Sequence, residues 1–243
     1  MTLNNNIDVV RFFSNQIAMS VPSAGLEQAY QDKSSQYFGN IRRDLIAHIR
    51  PGDHKILEIG CSSGATGHAL KQAGKASEVV GVELTSEAAA IARERLDRVL
   101  QGDIEQMELP FSPGYFDYIL CGDVLEHLRD PWGLLARLKT YLRDGGRVVS
   151  SIPNIRNWRV LTSLVFRGRW DYAKAGILDS THVRFFTKRN MVEMFENAGY
   201  VVEEVTHADF GPKARMISRL TLKLGEEFLV RQYIVKAIVQ TRF

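Results

Sequence analysis

"KILEIGCSSGATGHAL", residues 55–70, decides the fold. An apolar run enters Gly60, and a helix-forming run of Ala, His and Leu follows the turn. A strand, a glycine-rich turn and a helix N-terminus together make a site for an anionic or carboxylate-bearing ligand. In a dinucleotide site, three glycines in G-x-G-x-x-G let a pyrophosphate approach the backbone. Here the string from Gly60 reads G-C-S-S-G-A-T-G, so Ser62 stands where the second glycine belongs. Close approach of a pyrophosphate is compromised. Glu58, just ahead of the turn, would repel one and suits a cationic ligand.

Outward from this turn the chain alternates. "ATGHALKQAG" predicts a helix ending at Gly74, "SEVVGVEL" a strand, and "SEAAAIARERL" a helix capped by Ser86. "DRVLQGD" reads as a short strand and "FDYILCGD" as a buried one. "DPWGLLARLKTYLRDGG" reads as a helix closed by Gly145 and Gly146, and "RVVSSIP" as the next strand. Strands separated by helices predict a parallel, doubly wound sheet. Upstream, "IRRDLIAHIR" has helical spacing and stops at Pro51-Gly52. Residues 1–40 read as an N-terminal helical cap, and residues 41–243 as the main domain.

Around Pro153 the rhythm breaks. Residues 153–187 carry Trp158, Trp170, Arg156, Arg159, Arg167 and Arg169 with no clean period. Such a segment on a rigid scaffold usually carries function, and here it reads as a substrate-recognition insertion. "TKRNMVEMFENAGY" then predicts a helix from Thr187, "YVVEEVTHA" a strand, "KARMISRLTLKLG" a basic amphipathic helix and "FLVRQYIVKAIV" a last strand.

Composition bounds the rest. The 243 residues are 45% hydrophobic and 24% charged, enough for one sizeable core. A net charge of +3 does not call for nucleic acid. Cys61 and Cys121 make neither a disulfide framework nor a Cys-rich metal site, and suit reduced thiols in a cytoplasmic protein. No stretch approaches the ~20 apolar residues of a membrane span, and the first residues lack a signal-peptide pattern. The basic stretch 213–223 is expected to pack on the sheet and not on a membrane. The expected partner is a small-molecule or glycan substrate.

Glu83 ends the second strand, where a carboxylate can hold both ribose hydroxyls, and Asp103 follows the third, placed to accept from an adenine amino group. With "LEIGCSSG", "GVEL", "GDIE", "FDYILCGDVLEHLRDP" and "LKTYLRDGGRVVSSIPN" in this order, the chain resembles the class I S-adenosylmethionine-dependent methyltransferases. The resemblance covers roughly residues 37 to 240. It implies an α/β, Rossmann-like seven-stranded fold with strand order 3-2-1-4-5-7-6 and strand 7 antiparallel. It implies S-adenosyl-L-methionine as cofactor and S-adenosyl-L-homocysteine as product. The cofactor residues it implies are Glu58, Gly60, Cys61, Ser62, Gly64, Glu83, Leu84, Asp103, Ile104 and Gly122. Tyr37, with Arg42 or Arg43, is a further candidate for closing over the cofactor's carboxylate. Ser62 departs from the family's usual glycine; a small residue keeps the turn open, and its hydroxyl could bond that carboxylate.

Two constellations could carry chemistry. Asp123, Glu126 and His127 in "GDVLEH" have the spacing of one helix face if they open the helix after the fourth strand. The favoured role is stabilisation of a helix start, with His127 packed under the cofactor; the remaining reading has His127 as an acid–base or substrate-orienting residue. A divalent metal site is possible but not favoured: the E-x-x-E-H motif of some ubiquinone-pathway and RNA-end methyltransferases is similar, and here Asp123 replaces its first Glu. In "LDSTHVRFFT", His182 is placed to act as general base toward a hydroxyl, with Asp179 orienting its ring and Glu126 in support. Residues 152–187 also resemble methyltransferases found near sugar-transferring enzymes of bacterial surface-polysaccharide pathways. Tryptophans and Tyr172 offer flat faces for sugar rings, and the arginines suit phosphate or carboxylate.

The expectation is an O-methyltransferase acting on a sugar hydroxyl in a surface glycan or its precursor. Its rivals are a methyltransferase for a small lipophilic or amine acceptor such as a quinol, and a cofactor-binding partner protein that does not catalyse. A nicotinamide enzyme is disfavoured by Glu58 and Ser62.

Overall fold

The computed structural model describes residues 40–208, 216, 218–219 and 225–239. The cap expected over 1–40 therefore lies outside the described residues but for Asn40; Tyr37 and most of 213–223 lie outside them as well.

Seven strands form one sheet in the order β3-β2-β1-β4-β5-β7-β6. They are β1 (Lys55–Ile59), β2 (Glu78–Glu83), β3 (Arg98–Gln101), β4 (Phe116–Gly122), β5 (Leu142–Pro153), β6 (Tyr200–Ala208) and β7 (Gln232–Val239). β1 pairs in parallel with β2 and with β4, whereas β7 runs antiparallel to both β5 and β6. Helices α1 (Arg43–Ile46), α2 (Ala65–Gln72), α3 (Ser86–Arg93), α4 (Pro131–Leu138), α5 (Trp158–Arg167), α6 (Lys188–Asn197) and α7 (Glu226–Leu229) complete the elements used below.

Successive side chains of β1 feed two separate cores. Leu57 and Ile59 join a cluster with Val80, Ile119 and Met191, while Ile56 joins Val79, Tyr118 and Leu120. A strand buried on both faces needs no apolar–polar alternation, which is why "KILEI" reads as a nearly continuous apolar run. The strand order reverses between β1 and β4. Crevices at such points, outside the carboxyl ends of the strands, receive ligands in open α/β sheets.

Four local expectations need correction. The N-cap of α3 is Thr85, not Ser86, and it makes no side-chain cap bond because its hydroxyl donates to Glu83 (3.0 Å). α4 ends at Leu138, and a 3-10 turn over Lys139–Tyr141 leads into β5. Gly145 and Gly146 thus lie inside β5 and close no helix; Gly145 takes φ 70°, which suits a glycine. The helix read over 41–50 is only α1, four residues long. The segment judged aperiodic contains α5, capped by Asn157, whose side chain accepts from the Arg159 N–H.

Candidate active site

The turn after β1 is held by backbone conformations that leave little choice of residue. Gly60, Ser62 and Gly64 all take left-handed φ, at 66°, 51° and 73°. A Cβ on Gly60 would meet Val124 Cγ2 at 2.7 Å, and one on Gly64 would crowd Leu96 and Ala92. Ser62 occupies a conformation that favours glycine, and its N–H donates to Glu83 Oε2 at 2.8 Å. That bond joins the first turn to the end of β2.

Glu83 is buried, and its other oxygen accepts from Thr85 N–H (2.9 Å) and Thr85 Oγ (3.0 Å). A carboxylate has about four lone-pair sites, so three accepted bonds leave one on Oε2 for a ligand hydroxyl. Leu84 is half-buried beside it. The N–H of Gly102 donates to the Glu83 carbonyl at 2.9 Å, which brings the loop after β3 alongside. In that loop Asp103 accepts from Glu105 N–H and Gln106 Nε2, each at 2.9 Å, and Ile104 is buried. Gly122 ends β4, and a Cβ there would meet Leu45 Cδ1 at 2.8 Å. The β1, β2, β3 and β4 ends are thus assembled around one crevice, and their residue types fit a ligand with an amino-acid tail and a nucleoside.

Glu58 takes a different part from the one its charge suggested. It is buried and accepts from the Gly67 N–H at 3.1 Å. Burial pushes its carboxyl up to about 8. Its bond to Gly67 ties β1 to the first turn of α2. Burial likewise pushes Cys121 up to about 12 and raises Cys61, so neither thiol is a nucleophile.

A second group gathers beyond β4. Glu126 and His127 lie in a 3-10 turn, Leu125–His127, and not in the helix, which starts later with Asp130 as its cap. The shared helix face expected for Asp123, Glu126 and His127 therefore does not exist. Asp123 has φ 55° and turns to Arg42, Gln232 and Ser151, the last at 3.0 Å. His182 takes its place in the cluster. The Glu126 carbonyl accepts from the N–H groups of Val183 and Arg184, each at 3.0 Å, and so docks the 178–186 segment on this turn.

Glu126, His127 and His182 are all buried, and one ligating atom from each lies within 4.8 Å of the others. The two rings meet edge to face at 4.7 Å. His127 Nδ1 donates to the Thr181 carbonyl (3.1 Å) and His182 Nδ1 to the Ile177 carbonyl (3.0 Å). In the neutral form of each ring the lone pair then falls on Nε2. Asp179 accepts from Thr181 N–H (2.9 Å) and Oγ (2.7 Å), which shapes the turn that delivers His182. Among the described residues both carboxyl oxygens of Glu126 are buried without a hydrogen-bond partner, and the His182 Nε2 is 3.9 Å away. Burial and the nearby Asp123 hold this carboxyl well above the usual carboxylate range.

An orphaned buried carboxyl with two imidazoles, each anchored through its far nitrogen to a carbonyl, fits a divalent cation. It equally fits a site that takes a proton from a hydroxyl. Sequence reasoning named these three side chains and set Glu126 in support of His182, but left His127 with Asp123. The partners of Asp123 on α1 and β7 went unread, since nothing in local spacing connects positions 42, 123 and 232.

Comparison with known proteins agrees with this geometry. A family profile described as "Methyltransferase domain" matches residues 29–205. The chain is 26% identical over 189 residues to a ubiquinone biosynthesis O-methyltransferase of Aeromonas salmonicida, covering 76% of each chain. It is 28% identical over 179 residues to the protein of the same name from Thiobacillus denitrificans, covering 67% of this chain and 71% of that one. Among solved structures, an S-adenosylmethionine dependent methyltransferase from Mesorhizobium loti superposes with a TM-score of 0.58 at 19% identity, covering 81% of this chain and 96% of that one. The profile spans more than half of the sequence, and the chain belongs to the methyltransferase-domain family, as a class I enzyme that uses S-adenosylmethionine.

Proposed function

We propose that the enzyme methylates a hydroxyl of a lipophilic, quinol-like acceptor, and that Glu126, His127 and His182 handle that hydroxyl. The observation that carries this reading is the buried Glu126 carboxyl, unpartnered through hydrogen bonds and facing two oriented imidazoles. The names of the relatives support the acceptor class. So does the aromatic lining: Phe185 stacks edge-on with Trp170 at 5.1 Å and lies 6.4 Å from the His182 ring.

S-adenosylmethionine, when bound, supplies an electrophilic methyl group on sulfonium and leaves as S-adenosylhomocysteine. Gly60, Ser62 and Gly64 shape the turn for its amino-acid end, Glu83 takes the ribose, and Asp103 with Ile104 takes the adenine. His182 Nε2 accepts the proton as the acceptor oxygen forms its bond to carbon, and the Glu126 carboxyl, 3.9 Å from that nitrogen, positions the ring. His127 confines the hydroxyl from the other side. Segment 153–187 is the acceptor-recognition element. Where a divalent cation is bound, Glu126, His127 and His182 hold it, and it supplies Lewis acidity toward the hydroxyl.

A sugar hydroxyl in a surface glycan or its precursor is the second reading. It is favoured by exposed Trp158 and Tyr172 beside the exposed Arg159, Arg167 and Arg169. Release of S-adenosylhomocysteine, measured with short-chain quinols and with nucleotide sugars, separates the two. Turnover with the quinols alone supports the proposal, and turnover with the sugars alone overturns its acceptor. Repeating the assay after chelation and re-addition of metal decides whether a cation takes part.

A further inference from the structure

The helix α5 has its apolar residues on the wrong side for a core. Its buried residue is Val160, yet Phe166 is 82% exposed, Val165 70%, Trp158 47% and Leu164 44%. At about 3.6 residues per turn, Trp158, Val165 and Phe166 fall on the side away from Val160. An ordinary surface helix points its stripe inward and its charges outward.

The flanks are basic. Residues 156–174 contain four arginines and one lysine against a single acid, Asp171. Arg169 pairs with Asp171 at 2.9 Å, and Arg156 pairs with Glu227 at 2.7 Å while covering the Phe228 ring. Arg159 and Arg167 lie exposed beside the apolar stripe. An outward apolar face with cationic flanks matches the headgroup region of an anionic bilayer, where the rings enter the acyl boundary and the guanidiniums meet phosphates. Trp at the edge of such a face suits that interface, being apolar with one polar end.

We infer that α5 docks the enzyme on an anionic phospholipid surface. The helix sits between the end of β5 and the turn that delivers His182, so docking sets the acceptor entrance against the membrane. Tyr172 and Trp170 pack on Phe185, and Phe185 approaches His182, which makes an aromatic route from this face to the buried cluster. This face is distinct from the basic stretch 213–223. Docking stands on α5 alone, so it is independent of the acceptor assignment.

The test is flotation of the full chain with vesicles of phosphatidylcholine, with and without phosphatidylglycerol, at low and high salt. Binding is expected with phosphatidylglycerol, at least about tenfold weaker without it, and reduced by salt. The double variant Val165→Glu/Phe166→Glu should lose at least about tenfold in vesicle binding while keeping S-adenosylhomocysteine affinity. Should that variant fail to bind the cofactor product, Arg159→Gln/Arg167→Gln replaces it and must weaken binding to the anionic vesicles. Absence of binding by the wild type, or undiminished binding by the folded variants, overturns the inference. A wild-type dimer that the double variant dissociates, without vesicle binding by either, would assign the face to a second copy of the chain instead.

Discussion

The two halves of the crevice treat their polar groups in opposite ways. On the β1–β2 side the buried carboxyl groups have hydrogen-bond partners: Glu83 accepts three bonds, and Glu58 holds the start of α2. Beyond β4, Glu126 is buried with neither oxygen hydrogen-bonded among the described residues. A satisfied network preorganises a site for one ligand. An unsatisfied buried group is a standing cost that something else must relieve. The contrast suits an enzyme that binds one fixed cofactor on one side and performs proton chemistry on the other.

Breaking the satisfied side should show the largest loss of binding. Glu83→Ala removes the acceptor of the Ser62 and Thr85 N–H groups and frees the left-handed turn. S-adenosylhomocysteine affinity should fall by about 100-fold in calorimetry, since bonds to a charged group carry more than neutral ones. An affinity within a few-fold of wild type would mean that the turn holds itself and that Glu83 is a bystander.

On the other side the prediction reverses sign. In metal-free protein, Glu126→Leu replaces an orphaned buried carboxyl and should raise stability by about 1–3 kcal/mol while abolishing turnover. Denaturant unfolding reads this directly. A loss of stability would show that Glu126 has partners that the geometry does not account for.

A smaller effect concerns Glu58. Its folded carboxyl is raised to about 8 from a reference of 4.5, so the folded state holds a proton that the unfolded chain has released between those values. Stability from this group is fully present below the reference value and is lost as pH rises through the folded one. The slope approaches about 1.4 kcal/mol per pH unit at most. Glu58→Gln keeps an acceptor for the Gly67 N–H and should flatten the slope in that window. An unchanged slope would place the titration elsewhere.

The same contrast explains what could be read from the chain. The strands followed from buried runs such as Leu57–Ile59 and from the turn at Gly60, because local sequence controls them; their order came only with the family resemblance. The residues read as cofactor-binding lie at the ends of β1, β2, β3 and β4, as the motif order had them. The group beyond β4 was harder to read. Glu126 and His182 are 56 positions apart, and they meet only because the Glu126 carbonyl accepts from Val183 and Arg184. Asp123 looked like their partner by spacing, yet its left-handed backbone sends it to Arg42. The helix α5 was missed because it is only ten residues long and its apolar stripe is interrupted by Arg159, Thr162 and Ser163.

The division of labour is tested most directly by measuring S-adenosylhomocysteine affinity and single-turnover rate side by side on His182→Gln. The account predicts a rate lower by about 100- to 1,000-fold with affinity within about twofold of wild type. Equal loss of rate and affinity would contradict it, because His182 would then belong to the cofactor's side of the crevice.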